Sequence, residues 1–101
     1  MPAYFIANYQ ITDPNRYQNE YIPQVMPIMA KHGGKPIVVD MEVNGVEGSP
    51  QHFIVVIEFP NRAAAEAWHN DPDYQPVAAI RHESAANAWA AICDQFVPPG
   101  S

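Results

Sequence analysis

An α+β fold of β-α-β-β-α-β order, the split βαβ arrangement of a ferredoxin-like sandwich, is what this sequence predicts, on three observations. Four runs rich in aromatic and β-branched residues, near 3–12, 35–44, 51–60 and 86–96, read as strands. Two stretches carrying helix-start signals and apolar residues at helical spacing lie between the first pair and the last pair of strands. The strands are apolar on both faces, yet two helices cover only one face of a four-stranded sheet. The other face then calls for a second sheet, most simply from another copy of the chain.

In order, "AYFIANYQIT" (3–12) places Ala3, Phe5, Ala7, Tyr9 and Ile11 on one face and Tyr4, Ile6, Asn8 and Gln10 on the other. "TDP" starts a helix, with Asp13 capping orphan N–H groups and Pro14 at the first helical position. Tyr17, Tyr21, Val25, Ile28, Met29 and His32 form its apolar stripe. Pro23 and Pro27 predict a kink or split near residue 23, and "HGG" a left-handed glycine at the end. "KPIVVDMEV" and "QHFIVVIEF", joined by "NGVEGSP", form a hairpin. "PNRAAAEAWHN" starts the second helix, capped by Asn61 and anchored by Trp68. "DPDYQPVAAIRHE" repeats the signal, with Asp71 as cap and Pro72 opening a new segment. "NAWAAICDQF" alternates as a fourth strand, although its alanines also permit a helix.

With 101 residues, one domain over 1–97 and a short tail at 98–101 are expected. Only 16% of residues are charged, against a typical quarter, which suggests that a partner covers part of the surface. The net charge of −6 leaves no basic stripe for phosphates, which argues against nucleic acid and anionic membranes. The lone Cys93 forms no internal disulfide and fits a buried strand position. No signal-peptide pattern is visible in "MPAYFIANYQ", and no apolar run reaches the roughly 20 residues that span a bilayer, so a cytoplasmic homodimer is expected.

The segments "AYFIANYQITDPNRY", "HGGKP", "VVIEFPNRAAAEAW" and "DPDYQ", in this order, resemble the family known as domain of unknown function 1330, over roughly residues 3–95. The resemblance implies the dimeric α+β barrel superfamily, whose sheets pair face to face. That superfamily includes cofactor-independent monooxygenases, muconolactone isomerases, haem-dependent enzymes and stress-induced proteins, so it does not select one activity. Pro23 and Pro76 depart from the family pattern; Pro76 removes a backbone bond at the rim of the expected pocket.

Candidate chemistry centres on "EAWHNDPDYQPVAAIRH" (66–82). His69, Asp71 and Asp73 lack the glycine and twelfth-position acid of a calcium loop and the further ligands that zinc needs, so no metal is expected there. No phosphate loop, dinucleotide fingerprint or Ser-His-Asp signature appears, and no cofactor is expected. For proton transfer the candidates are Glu58, Tyr74 and His69. Burial would raise the Glu58 carboxyl toward a useful base, or it serves as a strand-end group reaching solvent or an arginine. Tyr74 either donates to a ligand or fills space. For binding the candidates are Asn8, Trp68, Arg81, Tyr17 and His32. Asn8 orients a polar group or bonds a neighbouring loop. Arg81 takes a carboxylate in a bidentate fashion or pairs with Glu83 or Asp73. His32 at a helix end fits a structural role as well as a ligand contact. The expected pocket lies between sheet and helices, above the break at 70–72, with Asn8, Glu58 and Tyr74 as polar lining and Trp68 as a wall. Its occupant would be a small carbonyl or lactone-like metabolite turned over without a cofactor, or a ligand that is merely bound.

Overall fold

A computed structural model describes residues 1–100. Four strands, β1 (Ala3–Ile11), β2 (Lys35–Asp40), β3 (Phe53–Phe59) and β4 (Ala85–Asp94), form one antiparallel sheet in the order β2-β3-β1-β4. The chain is thus a ferredoxin-like α+β sandwich with β1 and β3 in the centre. The segment 87–96, which could have been helical, lies largely within β4, paired along β1 from Ala3↔Asp94 to Ile11↔Ala85. The tail expected at 98–101 is described as far as Gly100; Ser101 lies outside the described residues.

The first helical run shows how prolines are accommodated. Asp13 accepts the Arg16 N–H at 3.1 Å and Pro14 stands in the first turn of α1 (Pro14–Arg16). A π-helical stretch, Tyr17–Tyr21, follows, and then α2 (Ile22–Lys31). The irregularity expected near residue 23 is this widened turn, immediately ahead of the proline. There the Ile22 N–H bonds the Tyr17 carbonyl, five residues back. A proline ring excludes the carbonyl four residues earlier, and a wider turn moves that carbonyl away. At the other end Gly33 takes φ +78°, its N–H bonding Ala30 and that of Gly34 bonding Met29, so the last carbonyls are satisfied. A Cβ on Gly34 would meet the Phe59 ring at 2.5 Å, so glycine is also required by packing.

After β3, α3 (Arg62–His69) is capped by Asn61, which accepts the Ala64 N–H at 2.8 Å. The next segment corrects the sequence reading. Asp71 caps no helix; its side chain closes a turn by accepting the Asp73 N–H at 2.8 Å. Helix α4 (Gln75–Ser84) begins later, and Pro76, rather than Pro72, occupies its first turn, where a missing N–H is harmless.

All the helices lie on one face of the sheet. The odd-numbered residues of β1 and β3, led by Phe5, Tyr9, Phe53 and Phe59, pack beneath them. The even-numbered set, Tyr4, Ile6, Asn8, Ile54, Val56 and Glu58, forms the open face, beside Val38 and Trp89 of the edge strands. Trp89 remains 52% exposed in the single protomer.

Candidate functional site

The sheet–helix interface is closed at one end and hollow at the other. At the closed end Trp68, fully buried, lies 4.6 Å from Tyr74, 5.0 Å from Phe5 and 5.4 Å from Phe59 between ring centroids. The Tyr74 and Tyr21 hydroxyls share a hydrogen bond at 3.1 Å. The break at 70–72 therefore sits over packed aromatic rings, and no gap opens there.

The hollow end is a cavity of about 360 Å³ beneath the π-helical stretch and α2, floored by β1, β3 and the edge strand β2. Its walls are Phe5, Tyr9, Tyr17, Tyr21, Val25, Met29, Phe53, Val55 and Ile57, with Val39 and Met41 from the hairpin and Arg81 from α4. No carboxylate and no imidazole lines it. Tyr17 and Tyr21, at the two ends of the π turn, both face the sheet, with their rings 5.1 Å apart. Opposite them a register shift between Asn8 and Gln10 gives β4 an extra residue, accommodated by Asn87 at φ 54°. Tyr9 lies at this bulge and its hydroxyl meets that of Tyr17 at 2.6 Å.

The polar groups of the cavity are three phenols, the Arg81 guanidinium and the Gln18 amide. Burial pushes the Tyr9, Tyr17 and Tyr21 phenols above their ordinary range, so all three stay protonated at neutral pH. A hydroxyl pair uses one proton between two oxygens, which leaves the second proton of the Tyr9–Tyr17 pair available. Arg81 is only 6% exposed, its guanidinium carbon 5.3 Å from the centre of the Tyr9 ring. One of its nitrogens, Nη2, lies 3.1 Å from His82 Nε2, while Nε and Nη1 are buried without any hydrogen-bond partner. Neither acid expected beside it is available: Glu83 binds Arg16 at 2.7 Å and Asp73 lies 3.6 Å from Lys31.

The other sequence candidates are dispersed. Asn8 and Glu58 belong to the open face, on the opposite side of the sheet from the cavity, which corrects the expectation that they line it. Asn8 acts on a neighbouring loop: its amide donates to the Gln51 and Phe53 carbonyls and accepts the Gln51 N–H, all within 3.0 Å. Glu58 pairs with Lys35 of β2 at 3.5 Å. His69 stands apart, on a separate hollow of about 270 Å³ between α3 and β4 with Arg62 and Glu66, and burial together with the Arg81 charge holds its imidazole below the usual range. His32 is bonded to Asp71 at 2.7 Å, away from the cavity. Trp68 and Tyr74 are core beside the cavity rather than its walls, whereas Tyr17 and Arg81 do line it. Sequence reasoning left out Tyr9 and Tyr21. Their signal was a tyrosine where the inward stripe otherwise carries phenylalanine or aliphatics.

Among the described residues no three His, Cys, Asp or Glu side chains converge as metal ligands, and no helix is long and apolar enough to cross a membrane.

The sequence profile of the family described as "Domain of unknown function (DUF1330)" matches residues 2–94. No curated protein matches the chain. Among solved structures, a protein of unknown function from Rhodopseudomonas palustris aligns over 96% of this chain and 84% of its own, at 15% identity and TM-score 0.78. SnoaB, a cofactor-independent oxygenase from Streptomyces nogalater, aligns over 99% and 98%, at 8% identity and TM-score 0.68. A dimeric protein of unknown function and ferredoxin-like fold from Bacteroides fragilis aligns over 93% and 96%, at 13% identity and TM-score 0.59. At these identities the likeness concerns the fold alone.

Proposed function

This chain belongs to the domain of unknown function 1330 family, and from that membership we propose that it works as a homodimer whose protomers each take a small carbonyl or lactone-like molecule into the sheet–helix cavity and transform it without a cofactor. The cavity of about 360 Å³, largely apolar and lined by protonated phenols and Arg81, carries this reading; it falls in the size range of small-molecule sites. Donors aimed into a dry space stabilise negative charge on oxygen, as an enolising carbonyl develops it. A distant fold neighbour, SnoaB, is a cofactor-independent oxygenase, which agrees with such chemistry.

Dimerisation is supported by the apolar open face and by the dimeric neighbour of the same fold. Face-to-face pairing would cover Ile6, Val56, Val38 and Trp89, and sedimentation should give twice 11.2 kDa. An 11.2 kDa species alone at micromolar concentration would remove the dimer.

One observation favours a second reading, a binding protein without turnover: the cavity walls hold no base. Enolisable ketones and lactones incubated with the protein in D2O separate the two. An enzyme accelerates exchange of the α-proton, and Arg81→Met lowers that rate by about 10²-fold or more. Binding with no accelerated exchange, and no oxygen uptake, assigns the binding role.

A further inference from the structure

The guanidinium of Arg81 carries five N–H donors in a planar fork, and the interior of this protein supplies them with His82 at 3.1 Å and the nearby hydroxyl of Tyr9. A charge removed from water is costly unless a partner compensates, and the face of Tyr9 returns only part of that cost. The remaining deficit is unusual in a buried arginine, which ordinarily meets a carboxylate. The two acids nearest to it in sequence, Glu83 and Asp73, are exposed and paired with other cations. A fork has two edges, and His82 uses a hydrogen of one of them, so the other edge has no partner.

We infer that Arg81, with the Tyr9–Tyr17 hydroxyl pair beside it, is the anion subsite of the cavity, and that the ligand is a planar, largely apolar monocarboxylate. The carboxylate would take the unpartnered edge of the guanidinium and accept two parallel N–H bonds, the side chain turning toward the cavity to present Nε or Nη1, which are closed to solvent in the free protein. The unspent phenol proton is a further donor. The body of the ligand would lie among Phe53, Val25, Met29 and Tyr21, where the walls offer mainly aromatic and aliphatic surface. Arg81 is the one cation in this lining, which is why one carboxylate is specified. This inference rests on the cavity being the binding site and adds which molecules enter it.

The test uses the full chain and three probes of one shape, 2-naphthoate, 2-naphthamide and 2-methylnaphthalene, titrated at pH 7 by calorimetry. The acid should bind at least tenfold more tightly than the amide, or about 1.4 kcal/mol, and Arg81→Met should abolish that preference while the hydrocarbon binds as before. Arg81→Lys, which keeps the charge and loses the fork, should keep only part of it. Equal affinity of acid and amide in the unmodified protein would overturn the anion subsite and leave the cavity standing. Failure of all three probes to bind, or binding indifferent to Val39→Trp at the cavity mouth, would remove the cavity as a binding site and the subsite with it. The acid–amide comparison needs no variant, so a poorly folding Arg81→Met does not rescue the inference.

Discussion

Two polar side chains are buried on opposite faces of the same sheet, and they are treated differently. Asn8, 1% exposed on the open face, has its amide nitrogen and oxygen both engaged by the backbone at residues 51–53. Arg81, 6% exposed on the helix face, has Nε and Nη1 engaged by nothing. Both lose water on folding, and only the first recovers what it loses. The contrast separates a residue that fastens β1 to the start of β3 from one held ready for something the chain does not contain. Burial alone does not distinguish them; the hydrogen-bond inventory does.

Substitutions should expose that contrast in proportion to what each contact carries. The largest effect is expected at the closed end of the core. Trp68→Ala removes the ring between Phe5, Phe59 and Tyr74 and should lower the unfolding free energy by roughly 3–5 kcal/mol, read from urea denaturation; a loss below about 1 kcal/mol would mean that the helix face is not held by this cluster. Next comes Asn8→Leu, which keeps the volume and orphans the Gln51 and Phe53 backbone groups. A loss of about 1–3 kcal/mol is expected, with faster amide exchange at Gln51. Arg81→Met should behave oppositely in the free protein: stability unchanged or higher by about 1 kcal/mol, because an apolar chain replaces an uncompensated buried charge. A large loss there would make Arg81 a structural residue like Asn8.

The smallest effect concerns Asp71. Its carboxyl is held well below the usual carboxylate range by the hydrogen bond from His32, by Lys31 at 2.8 Å and by the Asp73 N–H. Since the folded-state pKa is depressed, its contribution is fully present above about pH 4, the unfolded value, and fades as pH falls further. Thermal midpoints of the parent and Asp71→Asn should therefore differ at pH 7 and converge in acid. A gap that widens on acidification would reverse the sign of this linkage.

Much of the fold was legible because alternation and punctuation are local. The period of two in β1 sorts its residues correctly into two sets, and Asp13, Asn61 and Gly33 mark helix ends by chemistry that needs no tertiary information. Which set faces the helices was not legible in the same way, since Tyr4 and Ile6 are as apolar as Phe5 and Ala7. That one binary choice moved Asn8 and Glu58 to the wrong side of the sheet. A better signal was in the register: Asn8, Glu58 and Lys35 share a face, while the large rings of Phe5, Tyr9, Phe53 and Phe59 share the other. The cavity itself depended on a helix irregularity, and Pro23 announced only that one would exist.

That irregularity ties the length of the chain to its winding. An α-helix advances about 100° per residue, and the wide Tyr17–Tyr21 turn takes up one residue more than an α turn holds. If the same residues wound as a regular α-helix, the Asp13–Tyr17 segment would turn by about 100° relative to α2, carrying the Tyr17 hydroxyl away from Tyr9. Deleting Asn19 removes the surplus residue instead, so a regular helix would then keep Tyr17 in its present phase. The surplus residue and the wide turn cancel each other, and the cavity wall survives the loss of both but not of the turn alone.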